Sequence, residues 1–113
     1  DFVSVHVPLT PDTRNCFSSE SFQKMKSSAW FMNASRGEVV DEAALLQALN
    51  EKQIAGAALD VRSKEPPEDN EFGKQANVIL TPHIGAFTNE AQERVVLAGN
   101  SAANAFNFAE PKR

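Results

Sequence analysis

The sequence predicts an α/β fold built on part of a doubly wound parallel sheet, on three observations. Four short apolar runs, Phe2 to Val7, Ala29 to Met32, Ile54 to Val61 and Val78 to Leu80, alternate with segments of helical character. The runs are apolar rather than alternating, as in strands covered on both faces. Strands spaced this way along the chain are joined by crossovers, which are right-handed in parallel sheets.

Taken in order, Phe2-Val3-Ser4-Val5-His6-Val7 is rich in β-branched and aromatic residues, and Pro8 and Pro11 stop it. Thr10-Pro11-Asp12-Thr13 reads as a turn. Ser18 or Ser19 caps a short helix through about Met25, with Phe22 and Met25 on its buried side. The second strand leads into Asn33-Ala34-Ser35-Arg36-Gly37. Asp41 is a natural N-cap for a helix to Asn50, in which Ala44, Leu45, Ala48 and Leu49 form one apolar stripe. In the third strand Gly56-Ala57-Ala58 is small enough for a helix to lie close. Arg62 to Gln75 is polar, holds Pro66-Pro67 and Gly73, and reads as a long loop of the kind that tends to be functional. After the fourth strand Thr88 caps a long helix, 88–109, with Ala91, Val95, Ala98, Ala102 and Ala105 on one face.

Composition narrows the function. A net charge of −4 with no basic stripe argues against nucleic acid and membrane surfaces. No apolar run is long enough to span a bilayer, and no signal peptide opens the chain. Cys16 is the one cysteine, so no internal disulfide forms and a reducing, cytoplasmic compartment is expected. His6 and His83 come from different strands and no Cys or His pair has ligand spacing, so no metal site is expected. The chain opens at Asp1 and is in a strand by Phe2, which suggests a fragment of a longer polypeptide. Such a fragment leaves Phe2, Val3 and Val5 on an unpaired edge or bare face, and is expected to form a homodimer or higher oligomer unless its missing half is present.

In open parallel sheets, ligands bind outside the carboxyl ends of the strands. There the first strand delivers His6 and the turn from Pro8 to Thr13, and the second delivers Asn33 to Gly37. The third delivers Asp60 and then Glu65, and the fourth delivers Thr81, His83 and Gly85. One arginine after a strand is more often a surface group paired with an acid, and one histidine there more often a loop residue. An arginine, an acid and a histidine at one sheet edge suit the oxidation of a hydroxy acid. Arg36 would clamp the substrate carboxylate in two parallel hydrogen bonds, His83 would exchange the hydroxyl proton, and Glu65 would orient the imidazole. No side chain here accepts hydride, so a cofactor is required.

These stretches carry a resemblance. Val5-His6-Val7-Pro8-Leu9-Thr10, Asn33-Ala34-Ser35-Arg36-Gly37, Gly56-Ala57-Ala58-Leu59-Asp60-Val61 with Glu65-Pro66, and Thr81-Pro82-His83-Ile84-Gly85 stand in the order seen in D-isomer-specific 2-hydroxyacid dehydrogenases. The chain resembles the C-terminal half of their Rossmann-type NAD-binding domain, in the manner of 3-phosphoglycerate dehydrogenases and their glycerate and hydroxypyruvate relatives. The long helix 88–109 would then lead back toward the substrate domain. The resemblance implies catalytic roles for Arg36, Glu65 and His83. It places Asp60 by the nicotinamide amide, with Ala34, Ser35, Arg36, His83 and Gly85 around the nicotinamide. His6, Val7, Pro8 and Thr13 would lie beside the adenosine and phosphates. NAD is the implied cofactor, with NADP left open, and the implied substrate is a small 2-hydroxy or 2-keto acid, 3-phosphoglycerate among them.

The chain departs from that pattern at Arg62, where the family often has an aromatic residue, and at Phe87, where it often has a small one. Its five glycines, at 37, 56, 73, 85 and 99, cannot form the G-x-G-x-x-G loop that cradles a pyrophosphate. The 113 residues alone are therefore expected to bind NAD poorly and to show no turnover. An NAD-sensing corepressor of the same fold is the alternative. A phospho-acceptor domain with Asp60 as acceptor is set aside, because the neighbouring strand ends carry His6 and His83 rather than further acids and a lysine.

Overall fold

A computed structural model describes residues 1–105, with side chains through 97. Four parallel strands lie in the order β1 (Phe2–Val5), β2 (Trp30–Asn33), β3 (Gly56–Leu59) and β4 (Val78–Leu80). Between them run α1 (Ser19–Gln23) and α2 (Glu42–Asn50), with single turns of 3₁₀ helix at Gly37–Val39 and Phe72–Lys74. The first compact unit is Asp1–His83 and the second begins at Ile84.

The register aligns Phe31 with Val3, Ala57 and Val78, and Asn33 with Val5, Leu59 and Leu80. Because side chains alternate along a strand, these rows share one face. That face holds the core. Phe31 (0% exposed) meets Phe22 of α1 edge to face at 5.2 Å between ring centroids, and Phe17 at 5.4 Å. Leu45, Ala48 and Leu49 of α2 join the same cluster. The stripe read from the α2 sequence is buried as expected, and Asp41 caps the helix by accepting the Ala44 N–H.

The other face is less covered than its apolar sequence suggests. Phe2 is 73% exposed and Ile79 59% exposed, and Trp30, Met32 and Ala58 are half-buried. Apolar composition reports what a strand can bury, while the packing in this chain decides what it does bury. Of the expectation of an unpaired edge or a bare face at β1, the edge stands, since β1 pairs only with β2. The face is not bare at Val5, which is 2% exposed; Val3 is half-buried, and Phe2 alone of the three stands open. At Gly56 the close neighbour is also not a helix. A Cβ there would meet the Trp30 ring at 2.5 Å and the Asn77 carbonyl oxygen at 2.5 Å.

The elements are shorter than their apolar runs. β1 stops at Val5, before His6 and Val7, and β3 occupies only Gly56–Leu59 of the run from Ile54 to Val61. The long loop is less broken than it reads, since its 3₁₀ turn drops Phe72 into the core at 2% exposure. In the second unit, the Phe87 N–H closes a turn on the Ile84 carbonyl, and α3 (Asn89–Ala105) follows. Thr88 caps it as expected, accepting the Ala91 N–H at 3.0 Å. The side chains of Ala98, Ala102 and Ala105, and the segment 106–109, lie outside the described residues. Among the described residues no helix is long and apolar enough to cross a membrane.

Candidate active site

Since all four strands are parallel, their carboxyl ends open on one edge, and the turns that follow carry the residues singled out by the sequence. The turn after β2 is built by Asn33. Its side chain is 2% exposed, so its polar atoms need partners. Its Oδ1 accepts the Ser35 N–H (3.0 Å) and hydroxyl (2.9 Å), and its Nδ2 donates to the Arg36 carbonyl (3.0 Å). Ala34, Ser35 and Arg36 are thereby fixed in a tight loop, and Arg36 follows in extended backbone. This role of Asn33 had a signal in the sequence, an Asn closing an apolar run before small residues.

Arg36 is exposed, and its Nη1 donates to the Ser35 carbonyl at 2.8 Å. It forms no ion pair among the described residues, so the surface-pair explanation of this arginine does not hold. Instead it lines a hollow of about 270 Å³ that Glu65 and His83 line as well.

Glu65 and His83 are in direct contact. The carboxylate accepts at both oxygens, Oε1 from the Arg62 N–H (3.0 Å) and Oε2 from the His83 ring at Nδ1 (2.7 Å). A carboxylate has no proton to give, so Nδ1 carries the hydrogen and Nε2 is left for another partner. His83 holds this pose with φ at 56°, in the left-handed region that few non-glycine residues occupy. Such strain persists only where surrounding contacts hold it, and functional sites are where it collects. The backbone N–H of Arg62, then the ring of His83, hold the Glu65 carboxyl below its ordinary value.

That lowering makes a stability prediction. A carboxyl depressed in the folded state adds stability that is fully present above the unfolded value, 4.5, and lost as pH falls through the folded one. The melting temperature of the natural chain should therefore fall more steeply below pH 4.5 than that of a Glu65→Gln variant. Parallel melting curves in thermal scans between neutral pH and the acid limb would sink this.

A larger hollow of about 610 Å³ is lined by the pair together with Leu59, Pro66, Pro67, Leu80, Pro82 and Asp60. The Thr81 hydroxyl donates to Asp60 at 2.5 Å. Apolar walls beside a histidine–carboxylate pair make a hollow of the kind that takes a small, largely apolar ligand surface. The turn after β1 lies farther along the edge. His6 Nε2 is 2.8 Å from the Ser4 hydroxyl, Val7 is half-buried, and the Thr13 hydroxyl donates to the Pro8 carbonyl at 2.6 Å. Gly85 belongs to the second unit, in the turn that Phe87 closes.

Comparison with known proteins decides the family. A family model described as "D-isomer specific 2-hydroxyacid dehydrogenase, NAD binding domain" matches residues 1–85. The chain belongs to that family. It is 47% identical over 97 residues to the D-3-phosphoglycerate dehydrogenase of Synechocystis sp., covering 86% of this chain and 18% of that protein. It is 44% identical over 115 residues to the glycerate dehydrogenase of Methylorubrum extorquens, covering 99% of this chain and 36% of that protein. Among solved structures it superposes on D-lactate dehydrogenase with NAD+ from Lactobacillus jensenii with a TM-score of 0.82 and 32% identity, over 100% of this chain and 40% of that one. The chain thus spans well under half the length of these relatives.

The sequence missed two neighbours of the cluster formed by Arg36, Glu65 and His83. Glu42 and Arg62, 20 residues apart, are joined by two side-chain hydrogen bonds at 3.0 and 3.3 Å. No spacing rule in the sequence connects them.

Proposed function

We propose that the intact protein is an NAD-dependent D-2-hydroxyacid dehydrogenase and that these residues are one wall of its active site, in the C-terminal half of the cofactor domain. One observation carries the reading: Arg36, without an acidic partner among the described residues, shares a hollow with the Glu65–His83 pair. The guanidinium clamps the substrate carboxylate and polarises the adjacent C–O bond. His83 Nε2 accepts the hydroxyl proton on oxidation and returns it on reduction. Glu65 fixes the ring's orientation and offsets the charge that the imidazole gains. NAD, when bound, supplies the hydride acceptor. Asp60, Ala34 and Ser35 serve the nicotinamide end, and His6, Val7, Pro8 and Thr13 the adenosine and phosphates.

The relatives' names point to 3-phosphoglycerate and glycerate as the first substrates to try. The expected setting is the cytoplasm, and the expected state a homodimer or larger homo-oligomer. A panel of 2-keto acids offered to the intact protein, with NADH absorbance followed in time, tests the reaction. Absorbance that falls with one phosphorylated or hydroxylated keto acid supports it. A flat trace across the panel, with binding of NADH verified, sinks it.

A further inference from the structure

Arg62 stands where the resemblance leads one to expect an aromatic residue, yet its side chain is only 11% exposed. It is held on several sides. Glu42, in the first turn of α2, accepts its Nε–H at 3.0 Å through Oε1 and its Nη2–H at 3.3 Å through Oε2. The same Glu42 Oε1 accepts the Ser63 N–H at 2.8 Å. The guanidinium lies 4.7 Å from the centre of the Phe72 ring. Behind the backbone stands Gly37, where a Cβ would come within 2.0 Å of the Arg62 carbonyl carbon. Asp69 approaches Nη2 at 3.8 Å.

We propose that Glu42 and Arg62 are the positioning pair that sets Glu65 against His83. Arg62 contributes twice, through different atoms. Its guanidinium ties the start of the loop to α2 and to the 3₁₀ turn of Phe72, and its backbone N–H then donates to Glu65 Oε1. Glu65 itself is 38% exposed on a polar loop, so without that N–H its side chain is free to choose other rotamers. An exposed ion pair would add little rigidity. This one is two-pronged, mostly sheltered and stacked on a ring, which makes it far stiffer. Because Gly37 directly follows Arg36, the same contact gives the carboxylate clamp and the loop carrying Glu65 a shared support.

Charge alone and positioning make opposite predictions for one variant. Glu42→Gln removes a negative charge, and losing a negative charge by itself pushes a carboxyl down, never up. Loosening the Arg62 N–H pushes it up. Carbon-13 NMR titration of the Glu65 carboxyl, on the intact protein without substrate, should show an upward shift in Glu42→Gln. The groups facing Glu65 besides Arg62 are His83 and Asp60, and neither is altered. Phe72→Leu is the second variant. It changes no charge, so an upward shift there reports geometry alone, and it decides the matter if Glu42→Gln does not fold. The proposal rests on the dehydrogenase reading for its second readout, in which kcat falls roughly tenfold with KM little changed, as expected of misplaced catalytic groups. A Glu65 titration unmoved or lowered in a folded variant overturns the proposal, and so does an upward shift with undiminished kcat. A protein that turns over no hydroxy acid refutes the reaction instead, and the titration still judges the pair.

Discussion

Replacing His83 by asparagine in the intact protein is expected to lower kcat by roughly 10²–10⁴-fold, with KM changed far less. The choice of asparagine isolates the proton transfer. Its amide nitrogen takes the place of Nδ1, the ring atom 2.7 Å from Glu65 Oε2, and can still donate there, so the loop loses little of its support. What disappears is a group able to take a proton from the substrate hydroxyl while hydride departs. In the proposed function Arg36, which lines the same hollow, binds the substrate carboxylate, and that binding should survive. Arg36→Gln supplies the contrast, because losing the clamp weakens both ground state and transition state and so raises KM as well. Steady-state kinetics of the two variants distinguish these outcomes. A His83→Asn enzyme that keeps kcat within about tenfold of the natural one would rule the histidine out as the acid–base group.

Most of this site could be read from the chain because each residue follows its own strand directly. Arg36 stands three residues after Asn33 of β2, and His83 three after Leu80 of β4. A parallel sheet converts those local offsets into a common edge without further information. The fold was legible for a related reason, since four apolar runs and two capped stripes leave few arrangements. What stayed hidden depends on contacts across distance. Phe72 sits in a segment of Asp, Glu, Asn, Lys and Pro, and only the folded 3₁₀ turn reveals that it reaches the core. Glu42 looked like an ordinary first-turn acid placed for the helix dipole. Its three hydrogen bonds to Arg62 and Ser63 come from a loop 20 residues away in the chain. The open second face was equally invisible, because Phe2, Trp30 and Ile79 read the same in a covered strand as in a bare one.

That asymmetry between faces yields the largest stability effect expected here. Phe31 and Trp30 are adjacent on β2 and point to opposite sides of the sheet. Phe31 is fully buried between Phe17, Phe22 and the α2 stripe, and its removal leaves a cavity that the surrounding rings cannot fill. Phe31→Ala should cost about 3–5 kcal/mol, the range seen when a large aromatic is cut from a packed core. Against the roughly 5–15 kcal/mol that holds a typical domain together, this is enough to unfold a large share of the chain. Trp30 is the larger residue by volume, but it is half-buried and lies over Gly56, which offers a flat surface and no interlocking side chain. Trp30→Ala in the same 113 residues should cost clearly less, since partial exposure shrinks the transfer contribution and water can enter the space left behind. Urea unfolding of the two variants side by side tests the comparison, with an unchanged slope required so that the midpoints report stability. Should Trp30→Ala prove as damaging as Phe31→Ala, the core must extend through both faces, and the second face must be covered in solution.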